Sequence, residues 1–352
     1  MLVESNKSPQ EEAVCQRVLN RYFPRIIPTS VESLGNRGGF SGAGIWRVVT
    51  DQGNFALRRW PRAQLPTARI LGLHRLLTQI DCDGLRIVSV PLKTADGTTL
   101  PQESGDDWQL EPWLRGRADF HASPTAERVQ SAMMALARWH QLAERHIPAS
   151  GSAEWFSSRR EAASPAVGER LQILGHIDDS SLARIVTSIQ AIVNPQIREL
   201  TDRMAACLRR GRNQIAQELR SVCEIKVRLH PCLRDIWHDH LLFTGDELTG
   251  LIDPSASRTE NVACDLSRLI GSLFGDDRRG WDQSLNEYQR HRALTFGELR
   301  LIKALDRSGV LLSGWTWLEW ICLKQRTFSD IETVLARLQT ILSRMETLDH
   351  ER

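Results

Sequence analysis

Residues 229–254, LHPCLRDIWHDHLLFTGDELTGLIDP, place several ionisable side chains beside two short apolar runs. The runs at 241–243 and 248–252 flank the turn-forming segment 244–247. Apolar runs separated by such a segment are typical of a β-hairpin, whose two ends lie close together. The stretch therefore predicts a hairpin that brings the residues before and after it to one place.

Three ionisable residues stand at the ends of this hairpin. Asp235 and His240 precede its first strand, and Asp253 follows its second strand directly before Pro254. We expect the two carboxylates and the imidazole to converge. Such a group suits proton abstraction from a hydroxyl and the binding of a divalent cation by oxygen ligands. This chemistry suggests phosphoryl transfer.

The spacing of these residues resembles the catalytic segment of the aminoglycoside phosphotransferase and choline kinase-like families, small-molecule relatives of protein kinases. In those families a His-Gly-Asp or His-Arg-Asp motif is followed five residues later by Asn, and a metal-binding Asp ends the next hairpin. The resemblance implies that Asp235 is the catalytic base and that Asp253 binds metal. Leu233 stands in place of the family's His, and His240 in place of its metal-binding Asn.

A Gly-rich turn lies nearer the N-terminus, between two extended runs. Residues 35–44 contain five glycines, and backbone N–H groups at glycines can approach an anion closely. The resemblance implies that nucleotide phosphates are bound by this turn, and its candidate residues are Gly38, Gly39, Ser41 and Gly42.

Two further segments match the same family in order. Arg58 lies in the alternating run 54–61, at the position of the kinase lysine. Residues 68–77, where its helical glutamate partner is expected, contain no acid. Arg58 therefore either pairs elsewhere or binds phosphate without that partner. The run 108–116 is similar to the family's hinge, which implies that Glu111 and Trp113 contribute to nucleotide binding.

The order of these segments implies an α+β, bilobal protein kinase-like fold. Residues 1–112 are expected to form a small antiparallel-sheet N-lobe that binds nucleotide. Residues 113–352 are expected to form a larger, mainly helical C-lobe with the catalytic loop and substrate-binding helices. Asp265, in a segment that resembles the family's Tyr-Asp-Leu-Ala helix start, is expected to accept hydrogen bonds from the backbone of the catalytic loop.

Composition narrows the class of partner. The 352 residues carry a formal net charge of only +2, which argues against a nucleic-acid binder that relies on bulk charge. The N-terminus lacks a signal-like apolar core and no window holds eighteen uncharged apolar residues, so we expect a cytoplasmic protein without a membrane segment. The seven cysteines form no CxxC pair, which implies neither a disulfide framework nor a thiolate zinc site.

The sequence thus favours a phosphotransferase that uses ATP or GTP with Mg²⁺ or Mn²⁺ to phosphorylate a hydroxyl of a small molecule. An aminoglycoside, choline, a sugar and an amino alcohol all remain open as acceptors, and so does the oligomeric state. Two alternatives stay open as well. Leu233 and His240 are consistent with a kinase-fold pseudoenzyme, while a metal-dependent hydrolase would draw its ligands from His230, His238, Asp239 and His240.

Overall fold

The computed structural model describes residues 9–22, 27–34, 44–61, 65–328 and 330–350. The chain divides into two compact units. The first contains Met1–Ser158 and His238–Thr259, and the second contains Arg159–Trp237 and Glu260–Arg352. None of the helices in the described residues is both long enough and apolar enough to cross a bilayer. The functional division into lobes 1–112 and 113–352 stays a prediction.

A five-stranded antiparallel sheet forms the centre of the first unit, in the order β1-β2-β3-β5-β4. Its strands are β1 (Pro28–Ser33), β2 (Gly44–Thr50), β3 (Gly53–Trp60), β4 (Gln102–Glu103) and β5 (Asp106–Pro112). In the register between β3 and β5, Arg58 pairs with Gln109 and Ala56 pairs with Glu111. Since side chains alternate between the faces of a strand, these four residues share one face.

The opposite face of the sheet packs against the first helix. Leu57 and Leu110 are fully buried there, in a cluster with residues of the first helix such as Leu19. Trp60, on the Arg58 face, packs instead with Ile70 of the second helix. The helices of this unit are α1 (Pro9–Asn20), α2 (Thr67–Cys82), α3 (Ala126–Ala143) and α4 (Ala153–Phe156). The alternation of β3 therefore directs one face to a core and leaves Arg58 and its neighbours on the other.

The predicted hairpin is present in the first unit. Strands β8 (Leu241–Thr244) and β9 (Glu247–Leu251) pair antiparallel across the two residues Gly245 and Asp246. Gly245 has φ of 61°, a conformation that such tight turns require and that glycine adopts without steric cost. The Ile252 amide donates to the His240 carbonyl at 3.0 Å, so the two ends of the hairpin meet as the sequence predicts.

The second unit is mainly helical. Its β6 (Arg159–Ala162) pairs antiparallel with β7 (Val227–Cys232), and β10 (Arg258–Glu260) leads into this unit from the first. The helix α10 packs against α7, α8 and α11. The helices are α5 (Pro165–His176), α6 (Asp179–Gln190), α7 (Pro195–Arg220), α8 (Val262–Phe274), α9 (Arg278–Gln289), α10 (Phe296–Leu318) and α11 (Ile331–His350).

Local sequence explains where several of these helices begin. The Asn194 side chain accepts hydrogen bonds from the first amides of α7, and Pro195 at the first helical position needs no donor partner. Thr295 and Glu298 form a capping box at the start of α10. Asn261 caps α8 by accepting from the Ala263 amide, which fixes the position of Asp265 on the first turn.

Candidate active site

The residues predicted for the site fall in both units, and each group is described within its own unit. In the first unit Asp253 follows β9 and adopts the left-handed conformation, with φ of 53° and ψ of 56°. A non-glycine residue in this region costs about 1–3 kcal/mol and persists where the surroundings enforce it. Pro254 begins a 3₁₀ turn directly after it, in which the Ser255 hydroxyl donates to Asp253 Oδ1 at 2.8 Å.

Arg58 is the cation that meets Asp253. Its Nη1 donates to Asp253 Oδ1 at 3.1 Å, and the side chains are only 10% and 22% exposed. The guanidinium also lies 5.1 Å from the centroid of the Trp60 ring, a cation–π arrangement. Residues 68–77 contain no acid that could pair with Arg58. In the structure Arg58 pairs instead with Asp253, at the end of the hairpin.

The charges around Asp253 favour its ionised form. Burial alone would raise the pKa of Asp253, but Arg58 and the Ser255 hydrogen bond outweigh it and hold the pKa below its ordinary value. The His240 imidazole lowers the same pKa further. The hydrogen bonds from Arg58 and Ser255 both fall on Oδ1, so among the described residues Oδ2 keeps its lone pairs for another cation. A carboxylate of this kind fits a hard divalent ion, whereas the His240 nitrogen suits softer metals.

A hydrogen-bonded network extends from Arg58 along the same face of the sheet. Gln109 Oε1 accepts from Trp60 Nε1 at 2.7 Å and lies 3.0 Å from His74 Nε2, while Gln109 Nε2 donates to Glu111 Oε2 at 2.7 Å. Burial lowers the pKa of His74 to about 4, so this imidazole is neutral. Burial raises the pKa of Glu111, against the opposing effects of Arg58 and the Gln109 hydrogen bond. Sequence reasoning missed Gln109 and His74, which carry no motif.

The remaining nucleotide-binding predictions have different outcomes. The Trp113 amide donates to the Asn54 carbonyl at 2.9 Å, and the exposed Trp113 ring lies 5.3 Å from the Arg47 guanidinium. Contacts of Glu111 or Trp113 with a nucleotide stay a prediction. Residues 35–43 of the Gly-rich turn lie outside the described residues, and with them the predicted ligands Gly38, Gly39, Ser41 and Gly42.

In the second unit, Asp265 holds the loop that precedes Asp235. Its carboxylate accepts the Leu233 amide at 2.8 Å and the Arg234 amide at 2.6 Å, as the sequence predicts. Arg234 has φ of 65°, which is left-handed and strained for a side chain of its size. Leu233, which replaces the family's His, is buried. The Asp265 carboxylate thus fixes the backbone from which Asp235 projects.

Asp235 lies at the surface of the second unit. Its side chain is 54% exposed, and Arg268 of α8 donates to its Oδ1 from Nη2 at 3.0 Å and from Nε at 3.2 Å. Both contacts fall on one oxygen, so in the described part of this unit Oδ2 retains its capacity to accept a proton. The predicted convergence of Asp235 with His240 and Asp253 stays a prediction.

The histidines considered for a hydrolase have other surroundings. His238 Nε2 lies 3.5 Å from Asp239 Oδ1, and its ring packs edge-on against His121 at 4.3 Å between centroids. Within the described residues of the first unit, His238, Asp239 and His240 do not bring three metal-ligating atoms together. His230 is fully buried in the second unit.

The fold is that of kinases that act on small molecules. Solved structures with this fold include a spectinomycin phosphotransferase in complex with ADP and spectinomycin, at 11% identity and a TM-score of 0.66 over 95% of this chain and 97% of that one. They also include an amicoumacin kinase in complex with AMP-PNP and Ca²⁺, at 14% identity and 0.63 over 94% and 96%. An aminoglycoside phosphotransferase from Alicyclobacillus acidocaldarius is 15% identical, at 0.63 over 100% of both chains.

At these identities the solved structures show the fold, and a family model shows the family. The model of the phosphotransferase enzyme family matches residues 34–302, which is most of the chain. The protein therefore belongs to the phosphotransferase enzyme family. No curated protein gives a significant match. The predicted family and the predicted kinase-like α+β fold are both confirmed.

Proposed function

We propose that the protein is a kinase that transfers the terminal phosphoryl group of ATP to a hydroxyl of a small molecule. The observation that carries the proposal is that the Asp265 carboxylate accepts hydrogen bonds from the amides of Leu233 and Arg234, directly before Asp235. The left-handed backbone of Arg234 costs free energy that an ordinary surface aspartate at position 235 would not require. Such strain concentrates at functional sites. Membership in the phosphotransferase enzyme family supports the same reaction.

In this proposal each residue has a role that follows from its charge and position. Asp235 accepts the proton of the attacking hydroxyl through Oδ2, while Arg268 keeps hold of Oδ1 and fixes the orientation of the carboxylate. Arg58 and the backbone of Gly38 to Gly42 compensate charge on the phosphates. When bound, a divalent cation at Asp253 would supply further charge compensation for the phosphates.

A kinase-fold protein that binds nucleotide without turnover is the second candidate. The ion pair between Arg58 and Asp253 favours it, because a cation already sits on the predicted metal ligand. Leu233 and His240 also depart from the family pattern at positions close to the chemistry. A metal-dependent hydrolase is less well supported, since the histidines proposed for it belong to a chain of the phosphotransferase family.

Replacing Asp235 by Asn separates the two candidates. The amide cannot accept the proton, so turnover should fall by about two powers of ten or more, while nucleotide affinity should stay nearly unchanged. The measurements are ADP release in the presence of an acceptor and nucleotide titration by calorimetry.

The matched control is Asp179→Asn. Asp179 is another exposed aspartate of the second unit that forms an ion pair with an arginine, Arg212, so it tests the general effect of losing such a pair. Equal turnover in Asp235→Asn and the unmodified protein would refute the assignment of the base. Nucleotide binding without turnover in the unmodified protein, across a broad set of acceptors, would favour the second candidate.

A further inference from the structure

Glu111 lies on the same face of the five-stranded sheet as Arg58. In the register of β3 with β5, Arg58 pairs with Gln109 and Ala56 pairs with Glu111, which makes Arg58 and Glu111 diagonal neighbours. Such neighbours lie about 7–8 Å apart, a separation that long side chains span. A change of rotamer can therefore bring the guanidinium of Arg58 to the carboxyl group of Glu111.

The hydrogen bonds along this face all point towards Glu111. An indole nitrogen only donates, so Trp60 fixes Oε1 of Gln109 as the acceptor and Nε2 of Gln109 as the donor to Glu111. Since this Oε1 cannot donate, His74 carries its proton on Nε2, and its Nδ1 accepts from the Thr99 hydroxyl at 2.9 Å. The chain of donors therefore runs from Thr99 to Glu111 and ends on Oε2 of that carboxyl group. A donor fixed in this way favours the ionised form of the carboxyl group.

The second oxygen of Glu111 is available to a further donor. Among the described residues Glu111 Oε1 accepts no hydrogen bond, and no cation lies within ion-pair distance of this side chain. Charges nearby nevertheless act on it: burial raises the pKa of Glu111, the charge of Arg58 lowers it, and the charge of Asp253 raises it further. Two carboxylates, those of Asp253 and Glu111, therefore share the neighbourhood of one guanidinium.

Arg58 holds only one of these two carboxylates in this structure. Its Nη1 donates to Asp253 Oδ1 at 3.1 Å, and its side chain is 10% exposed. A divalent cation bound to Asp253 would repel the guanidinium, because both charges would belong to one carboxylate. An arginine stays protonated and its charge is costly to bury without a partner, so Arg58 then needs another carboxylate. Glu111 is within its reach and has an oxygen to accept it.

We propose that Glu111 is a positioning residue for Arg58, and that Arg58 transfers from Asp253 to Glu111 Oε1 when a divalent cation binds Asp253. The pair with Glu111 keeps the guanidinium on this face of the sheet, where it compensates charge on the phosphates, and leaves Asp253 to the cation. Glu111 thereby takes the part of the helical glutamate that residues 68–77 lack. This proposal rests on the proposed function, which assigns the cation to Asp253.

A double-mutant cycle on cation affinity tests this transfer. Mn²⁺ binding is measured by water proton relaxation, with ADP at a concentration that saturates each variant, so the readout does not depend on turnover. Glu111→Gln keeps an acceptor for Gln109 but removes the charge that receives Arg58. It should weaken Mn²⁺ binding about 10- to 100-fold, the range for a hydrogen bond to a charged group. In the Arg58→Gln background the same substitution should change Mn²⁺ affinity less than about twofold, because no guanidinium remains to be received.

Two further variants serve as comparisons. Glu111→Asp keeps the charge on a shorter side chain, so it should restore part of the Mn²⁺ affinity that Glu111→Gln loses. The matched control is Glu103→Gln. Glu103 lies on β4 of the same sheet and pairs with Arg17 at 2.7 Å, so this variant tests the general effect of losing a glutamate–arginine pair. It should leave Mn²⁺ affinity unchanged.

The comparison between the two backgrounds decides the outcome. Equal weakening by Glu111→Gln in both backgrounds would assign Glu111 a purely structural role and overturn the transfer, and no weakening in either would overturn it as well. Turnover in the unmodified protein alongside such a result would leave the kinase function intact. Conversely, a loss of Mn²⁺ affinity that depends on Arg58, without turnover of any acceptor, would support the transfer and contradict the proposed function. An unmodified protein that binds no Mn²⁺ would overturn both the transfer and the proposed cation site.

Discussion

Replacing Asp265 by Asn should separate stability from catalysis in the second unit. Asp265 is fully buried, and burial raises its pKa from an ordinary value of 3.8 to about 6, even though the Leu233 and Arg234 amides oppose this effect. An increase of about two in pKa corresponds to about 3 kcal/mol against the ionised form. The amide removes this cost but also loses one of the two hydrogen bonds from the Leu233 and Arg234 amides, worth about 1.5–3 kcal/mol, so the net change in stability at pH 7.5 should be small.

The effect should depend on pH with a definite sign. Because the folded pKa of Asp265 lies above the unfolded one, the folded protein binds more protons between pH 3.8 and about 6. The contribution of this group to stability is therefore greatest below pH 3.8 and falls as the pH rises to about 6. The stability of the Asn variant relative to the unmodified protein should therefore rise across this window and stay constant above it.

Catalysis should be impaired by the same substitution. Each oxygen of Asp265 accepts from one amide, whereas Asn has a single oxygen and can accept from only one of them. A lost hydrogen bond to a charged acceptor is worth about 1.5–3 kcal/mol. This loss is comparable with the strain of Arg234, about 1–3 kcal/mol, so the loop should relax from the left-handed conformation. We expect turnover to fall about 10- to 100-fold, with little change in nucleotide affinity.

Chemical denaturation at pH 5 and pH 7.5, together with ADP release, measures both effects. The control is Asp306→Asn, which replaces another buried aspartate of this unit whose pKa burial raises to about 6, and which pairs with Arg344 rather than with the loop. Full turnover in Asp265→Asn would refute the positioning role. Equal destabilisation at the two pH values would show that the hydrogen bonds outweigh the cost of burying the charge.

The other predictions concern the first unit. Arg58→Ala removes the cation that lowers the pKa of Asp253, so it should raise that pKa and weaken ATP binding by about 10-fold. ATP affinity is measured by calorimetry. Unaltered affinity together with a lower melting temperature would assign Arg58 a structural role alone. His240→Asn should shift the metal preference of nucleotide binding from Mn²⁺ towards Mg²⁺, because an amide oxygen is the harder ligand; titrations that show the same preference in both forms would contradict metal ligation by His240.

Several features of the protein were determined by short stretches of sequence. The hairpin β8–β9 follows from two apolar runs around a tight turn, and Asp253 stands at its end in the sequence as in the structure. The helix that begins at Val262 and its Asp265 follow from an equally local pattern, and the expected bonds to the catalytic loop are present. Turn and helix preferences act over a few residues, which is why they can be predicted before any contact is known.

Tertiary structure alone decided the partners of the charged side chains. Arg58 and Asp253 are 195 residues apart, and nothing in the segment around Arg58 indicates an acid on the hairpin. The sequence left Arg58 either a partner elsewhere or a phosphate, and packing supplied the partner. Gln109 and His74 likewise became part of the site through the register of β3 with β5 and the packing of α2.

The second unit shows the same limit most clearly. Arg170, Arg268 and Arg337 line one cavity, although they come from three helices that are far apart in the sequence. These side chains lie close together only because the helices pack around one space. The left-handed backbone of Arg234 likewise depends on a distant contact, the hydrogen bond from its amide to Asp265. The sequence determined the elements and the family through local preference and order, whereas the charge environment of the site depends on contacts between distant segments that only the packed chain defines.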